Sequence, residues 1–271
     1  MRFVLMTLSL VLSLFSCHTA AEEKIGVVLL HGKQGGGLRD NSLDSLQRKL
    51  LEAGALVIRP ELPWSRNRYI EGDWNQAMSE IALQVRKLNE LGATRVALVG
   101  HSIGSPASLS FAVKYPDKVH ALGLIAPGHI PYYFSQCIPF APIRMCSVRD
   151  GVDRARKEIE AGDATGKNAF PDINQGSANV VWMSPKDYFS YFDPAGDAEM
   201  SITAAKVPAT VPVLYVIGNK DPLFEVGRQY VFEKLPANTK NQYLEVSGNH
   251  ISTPAVAADQ IVNWIKAVLI P

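Results

Sequence analysis

Three cysteines in 271 residues are too few for a disulfide scaffold. Neither Cys137 nor Cys146 is followed within a few residues by a second Cys or His, so a zinc site is not expected. Charge of one sign is equally scarce. Lys and Arg number 27 against 26 Asp and Glu, a formal net charge of +1 with no basic block or stripe. Nucleic acid and acidic lipid surfaces therefore have no electrostatic footprint to bind. Internal repeats and low-complexity tracts are missing too. The 47% hydrophobic and 20% charged content is that of a globular chain with a full core. The one glycine-rich run, Gly32-Lys33-Gln34-Gly35-Gly36-Gly37, lacks the Lys-Ser/Thr ending of a phosphate loop and the G-x-G-x-x-G spacing. No metal or organic cofactor is implied, which leaves chemistry on a small molecule.

The clearest long apolar run lies at the start. Arg2, the stretch 3–15 and the small residues Thr19-Ala20-Ala21 read as a secretory signal over residues 1–21, too short for a confident membrane span. Leu14-Phe15-Ser16-Cys17 also resembles a loose bacterial lipobox, in which Cys17 would carry lipid and anchor the chain to a membrane. Both readings place the protein in the periplasm or outside the cell. An oxidising compartment would allow Cys137 and Cys146 to bridge, with two free thiols as the alternative.

What the chain does have is a regular alternation. The continuous apolar run at 25–30 reads as a strand buried on both faces, and 55–58, 95–99, 119–125, 213–217 and 242–246 read as further strands. Between them, Leu43, Leu46 and Leu50 recur at helical spacing up to Gly54, and Met78, Ile81, Val85 and Leu88 do so up to Gly92. A closing helix is expected over 255–269, with Val256, Ile261, Ile265 and Val268 on one face. Strands alternating with helices predict an α/β fold, a mostly parallel doubly wound sheet of about six strands with its site at the strands' carboxyl ends. Residues 131–206 break the pattern. They are rich in aromatics and offer one convincing helix, 151–161, so they read as a cap inserted between two parts of a core, 22–130 and 207–271.

The chemistry is centred on Gly100-His101-Ser102-Ile103-Gly104. An apolar strand precedes it and a helix through 107–113 follows. Such a turn holds the serine in a strained conformation and presents it at a helix N-terminus. A serine nucleophile needs a base, and the base an orienting acid. Asp221 follows the strand at 213–217 in Gly-Asn-Lys-Asp-Pro, and His250 follows the last strand in Ser-Gly-Asn-His; Glu225 is the fallback acid. The other histidines compete poorly: His18 lies in the signal, His120 within a strand, His129 before the cap, and His101 at a turn too sharp for its side chain to face the site. Backbone N–H groups of Lys33 and Ile103 are the candidate oxyanion donors.

On these residues the chain from about Lys24 onward resembles an α/β-hydrolase. The matching motifs are His31-Gly32 after the first strand, G-H-S-I-G at the nucleophile, G-N-K-D-P-L at the acid and G-N-H at the base. The two leading antiparallel strands of the fuller family are absent. The resemblance implies a cap where the irregular stretch lies, and a serine hydrolase cleaving a carboxylic ester, thioester or amide; a catalytically idle binding protein on the same fold is the other class. Ser102 at the nucleophile position disfavours the branches that use a carboxylate there. The acyl pocket is expected to be apolar, walled by Trp182, Tyr188, Phe189, Tyr191 and Phe192, unless these rings form only the cap's own core. Arg66 and Arg68 could instead select an anionic substrate.

Overall fold

A computed structural model describes residues 23–36, 40–136 and 143–270. The chain runs β1 (Ile25–Leu30), α1 (Asp44–Glu52), β2 (Leu56–Ile58), α2 (Trp74–Glu90), β3 (Arg95–Ser102), α3 (Gly104–Lys114) and β4 (Ala121–Pro127). After β4 come α4 (Pro131–Gln136), α5 (Ile143–Glu160), β5 (Asn168–Asn174), β6 (Ser177–Met183), α6 (Pro185–Phe192) and α7 (Met200–Ala204). The remainder is β7 (Val213–Gly218), α8 (Gly227–Tyr230), β8 (Gln242–Val246), α9 (Thr253–Val256) and α10 (Ala258–Leu269).

Six strands form one parallel sheet in the order β2-β1-β3-β4-β7-β8. Side chains of a strand point alternately to its two faces, so a strand covered on both sides must be apolar throughout. In β1, Val28 and Leu30 join one core while Val27 and Leu29 join the other; β3, β4 and β7 divide in the same way. The four β1 residues are fully buried, each contributing roughly 1.5–3 kcal/mol of apolar burial. One face is covered by α2 and α3, the other by α1 and α10. The chain leaves β1 toward β2 and leaves β3 toward β4, in opposite directions, so the loops after β1 and β3 splay and open a crevice at the carboxyl ends.

The helix ends follow local chemistry. Asp73 caps α2 by accepting from Gln76 N at 2.7 Å, and six residues at helical spacing from Trp74 to Leu88 are buried. Gly54 and Gly92 take positive φ, 83° and 94°, after α1 and α2, the left-handed geometry that ends a helix without a Cβ penalty.

Three expectations are corrected. The closing helix is broken at Ala257 into α9 and α10, and Val256 is exposed rather than part of the buried face. His120 lies just before β4, where its Nδ1 accepts from Val96 N at 3.1 Å. The stretch between β4 and β7 is more ordered than one helix: α5 begins at Ile143, and β5 and β6 form an antiparallel hairpin. Gln175 and Gly176 at its tip both have positive φ, 48° and 77°, the mirror-image turn that matches the twist of paired strands. Cys146 is disulfide-bonded; Cys17, Cys137 and the signal-like segment 1–21 lie outside the described residues.

Candidate active site

β3 ends at Ser102, whose φ is +55°, and α3 begins at Gly104. A β-branched or bulky neighbour could not follow this path. A Cβ on Gly100 would lie 2.0 Å from Gly104 O, and one on Gly104 would lie 2.4 Å from Leu30 O, so β3, α3 and β1 meet backbone to backbone. Ser102, half-buried, is therefore held in a left-handed conformation that costs on the order of 1–3 kcal/mol and aims its hydroxyl off the sheet.

Two loops converge on it. After β7, Asp221 closes a turn with its N–H on Gly218 O at 2.9 Å, and after β8 the chain reaches His250. These loops are laced together: Asn219 N donates to Val246 O and Lys220 N to Gly248 O, both at 2.9 Å. His250 Nδ1 lies 2.7 Å from Asp221 Oδ2, and His250 Nε2 lies 3.0 Å from Ser102 Oγ. With Nδ1 donating to the buried carboxylate, Nε2 faces the hydroxyl with its lone pair and can accept its proton. Glu225 is exposed and makes no contact with His250 among the described residues; the fallback acid is not brought to the site.

The loop after β1 forms the opposite side. Gly35 N donates to Gly32 O at 2.9 Å, closing a turn around Lys33 and Gln34, and Gln34 N donates to Trp64 O at 2.8 Å. His31, fully buried, pins the turn: Nδ1 donates to Gly32 O at 2.8 Å while Nε2 accepts from Leu62 N at 3.1 Å. A Cβ on Gly32 would come within 3.2 Å of Ser102 Cβ, so this backbone runs beside the hydroxyl. Ile103 is the N-cap of α3, and its N–H belongs to the amides a helix start leaves without internal partners. Lys33 and Ile103 thus flank Ser102 from two elements.

Sequence reasoning missed what their side chains do. Lys33 Nζ is buried and donates to Asp172 Oδ1 at 2.6 Å and to Ile173 O at 3.1 Å, tying the loop to hairpin strand β5. Tyr69 OH donates to the other Asp172 oxygen. Burial raises the Asp172 pKa, but Lys33 and Tyr69 outweigh it and hold the carboxyl below its ordinary range. His101, expected to point away, lines the cleft with Ser102 and His250 but makes no hydrogen bond to the hydroxyl; it supports the site instead. Its Nε2 donates to His250 O at 2.9 Å, and burial, aided by His250, pushes its pKa down to about 4, so it stays a neutral donor. His129 is likewise buried, with Nε2 on Tyr191 O at 2.6 Å and a pKa lowered to about 3, chiefly by burial. No local spacing announces such roles; each partner is remote in sequence.

Ser102 and His250 open into a cleft of about 1020 Å³, and here the expected apolar wall is overturned. Tyr188, Tyr191 and Phe192 are fully buried in the core that the insertion shares with the α2 and α3 face of the sheet, where Tyr188 stacks on Phe170 and Phe192 and Tyr191 packs edge-on to Trp74. Phe189 is partly buried with Arg156 over its ring, and Trp182 is 71% exposed on the hairpin. None of the five lines the cleft. The three buried rings instead seal the insertion onto the α2 and α3 side of the sheet. Of the two arginines, Arg66 lines the cleft whereas Arg68 is bound to Glu71 and Glu80.

Gly128 completes the geometry. A Cβ there would lie 2.8 Å from Ser102 Oγ and 3.3 Å from His250 Cε1. Gly128→Ala is expected to displace the hydroxyl from the imidazole and lower kcat about 10- to 100-fold, with the thermal midpoint changed little. Steady-state kinetics on p-nitrophenyl acetate beside a melting curve checks this; unchanged kcat would mean that the contact relaxes at no cost.

Among the described residues no group of three His, Cys, Asp or Glu could hold a metal ion, and no helix is long and apolar enough to cross a membrane. In sequence, the chain is 23% identical over 191 residues to 2-hydroxy-6-oxo-6-phenylhexa-2,4-dienoate hydrolase of Comamonas testosteroni, covering 68% of this chain and 66% of that one. It is 27% identical over 103 residues to 2-hydroxy-6-oxononadienedioate/2-hydroxy-6-oxononatrienedioate hydrolase of Escherichia coli K12, covering 38% and 36%. The matched stretch thus spans just under two thirds of the first relative's length and about a third of the second's. In structure, it resembles Est1E of Butyrivibrio proteoclasticus, solved with ferulic acid, with a TM-score of 0.64, 16% identity and coverage of 94% and 93%. It also resembles a Paleococcus ferrophilus monoacylglycerol lipase, with a TM-score of 0.62, 20% identity and coverage of 89% and 94%. The model of the alpha/beta hydrolase family matches residues 27–263, nearly the whole described chain, and the protein belongs to that family.

Proposed function

We propose that the protein is a serine hydrolase that cleaves a carboxylic ester through an acyl-enzyme. The observation that carries this reading is the hydrogen-bonded series from Ser102 Oγ to His250 Nε2 and from His250 Nδ1 to Asp221, built on a strained turn at a helix start. Ser102 attacks the acyl carbon as His250 takes its proton, and the developing oxyanion is received by the Lys33 and Ile103 amides. His250 then protonates the leaving alkoxide, and water, activated in turn by His250, releases the acid. Asp221 orients the imidazole and stabilises it when charged. The fold is shared with a monoacylglycerol lipase, which supports an ester as substrate. The names of the sequence relatives favour a second reading, hydrolysis of a 2-hydroxy-6-oxo-dienoate.

A fluorophosphonate probe should label Ser102 in the wild type, and the protein should turn over p-nitrophenyl acetate faster than the matching thioester or anilide. Absence of labelling would leave an idle binding protein. Labelling with turnover of 2-hydroxy-6-oxo-6-phenylhexa-2,4-dienoate, and of no ester, would install the second reading.

Export belongs to the same proposal, on the strength of the signal-like start. The mature chain begins near Glu22, or at a lipidated Cys17, and Cys146 pairs with Cys137. Intact-mass analysis after alkylation without reduction should show neither Cys137 nor Cys146 modified; an alkylated Cys137 would reassign the bridge.

A further inference from the structure

The side chains that line the cleft opening from Ser102 are mostly polar on both walls. Asn41, Ser42 and Asn67 stand on the side of the loops after β1 and β2, and Asn174, Gln175 and Asn179 on the hairpin side. Among the described lining residues, Ile251 is the one aliphatic side chain. Of the charged side chains that line it, Lys33 and Asp40 are ion-paired, Glu61 is hydrogen-bonded, and Arg66 is left without a side-chain partner among the described residues. Asp40 is paired with Arg59 at 3.0 Å and accepts from Gly36 N and Ser42, and Glu61 accepts from Ser65 and Asn67.

A neutral amide both donates and accepts, which is the capacity of a hydroxyl group and not of a methylene chain, a carboxylate or an ammonium. Two of these amides are already oriented. Asn174 Nδ2 donates to Gln34 Oε1 at 3.1 Å across the gap between hairpin and loop, and Asn179 Nδ2 donates to Ser177 O at 3.2 Å. Each keeps its carbonyl oxygen and a second N–H for a ligand. A long acyl chain laid here would strip these groups of water and return nothing, whereas a ring of hydroxyls would replace that water group for group.

We propose that the cleft binds a polyhydroxylated alcohol, so that the bond cleaved joins a short acyl group to a sugar or polyol. The catalytic half of this statement rests on the ester-hydrolase reading above; the binding half does not.

The test compares two primary acetate esters, methyl 6-O-acetyl-glucopyranoside and hexyl acetate. Wild-type protein is expected to favour the sugar ester at least about tenfold in kcat/KM. Asn174→Ala and Asn179→Ala should each lower that ratio by about three- to tenfold, the effect of one lost hydrogen bond. Saturation-transfer NMR of the same esters with Ser102→Ala protein reads binding without chemistry, and the sugar ester should give the stronger transfer. Binding of the sugar ester without turnover by the wild type would overturn the hydrolase reading and keep the cleft assignment. Equal rates, a preference for hexyl acetate or for the anionic ester 2-acetoxypropionate, or no sugar binding would overturn the cleft assignment.

Discussion

Ser102→Ala is expected to lower kcat on p-nitrophenyl acetate by roughly 10⁴- to 10⁶-fold and to remove all fluorophosphonate labelling, with the melting curve unchanged. The hydroxyl is half-buried and the hydrogen bond it makes is to His250, so its loss removes chemistry and little packing. His250→Ala should cost a similar factor. Asp221→Asn should cost about as much or somewhat less, since the base survives but Nδ1 then faces an amide in place of a carboxylate 2.7 Å away. Because the three act as a unit, a double variant should be scarcely worse than the worse single one. Activity surviving Ser102→Ala would end this mechanism. Full activity in Asp221→Asn, with loss in Glu225→Gln, would require Glu225 to leave the exposed position it holds.

The largest effect on stability is expected at Asp172→Ala, about 3–5 kcal/mol by urea unfolding. Lys33 and Asp172 side chains are 5% and 0% exposed, so removal of the carboxylate strands a buried ammonium against a lone carbonyl, Ile173 O. Lys33→Met with Asp172→Leu should recover most of the loss, because the same volume is refilled and no charge is stranded. The pH dependence follows from the direction of the Asp172 shift. A carboxyl held below its unfolded value contributes stability above that value, near pH 4, and loses it as pH falls through the folded value. Wild-type protein should therefore weaken below about pH 4 more steeply than the double variant. Equal acid slopes would show that the pair contributes nothing to acid sensitivity.

The parts of this molecule that could be read from the chain are those whose physics is local. Val27 to Leu30 must be a two-faced strand because nothing else buries four apolar residues in a row beside helices at period 3.6. Ser102 declares itself through Gly100 and Gly104, which the backbone contacts require. Asp221 and His250 were legible because each lies just past the end of a strand of the sheet. The hairpin was not legible: Pro171, a residue that argues against a strand, lies within β5, and the tip is Gln175-Gly176 rather than the familiar Asn-Gly. Nor was the fate of Tyr188, Tyr191 and Phe192, because aromatic content alone does not say which surface a ring covers. The partnerships of Lys33 with Asp172 and of His101 with the His250 carbonyl span 139 and 149 positions, and no motif records them.

The brevity of β2 bears on how copies of this protein behave beside one another. Among the described residues β2 forms one border of the sheet, and a long, flat border is a template for another chain's strand. Here the border is three residues, Leu56–Ile58, followed by Pro60 and Pro63, which have no N–H to offer. At the opposite border, β8 carries exposed Gln242 and Glu245, the latter facing Arg228 at 3.8 Å, charges that an incoming strand would have to desolvate. Both margins of the described sheet are thus poor seeds for aggregation.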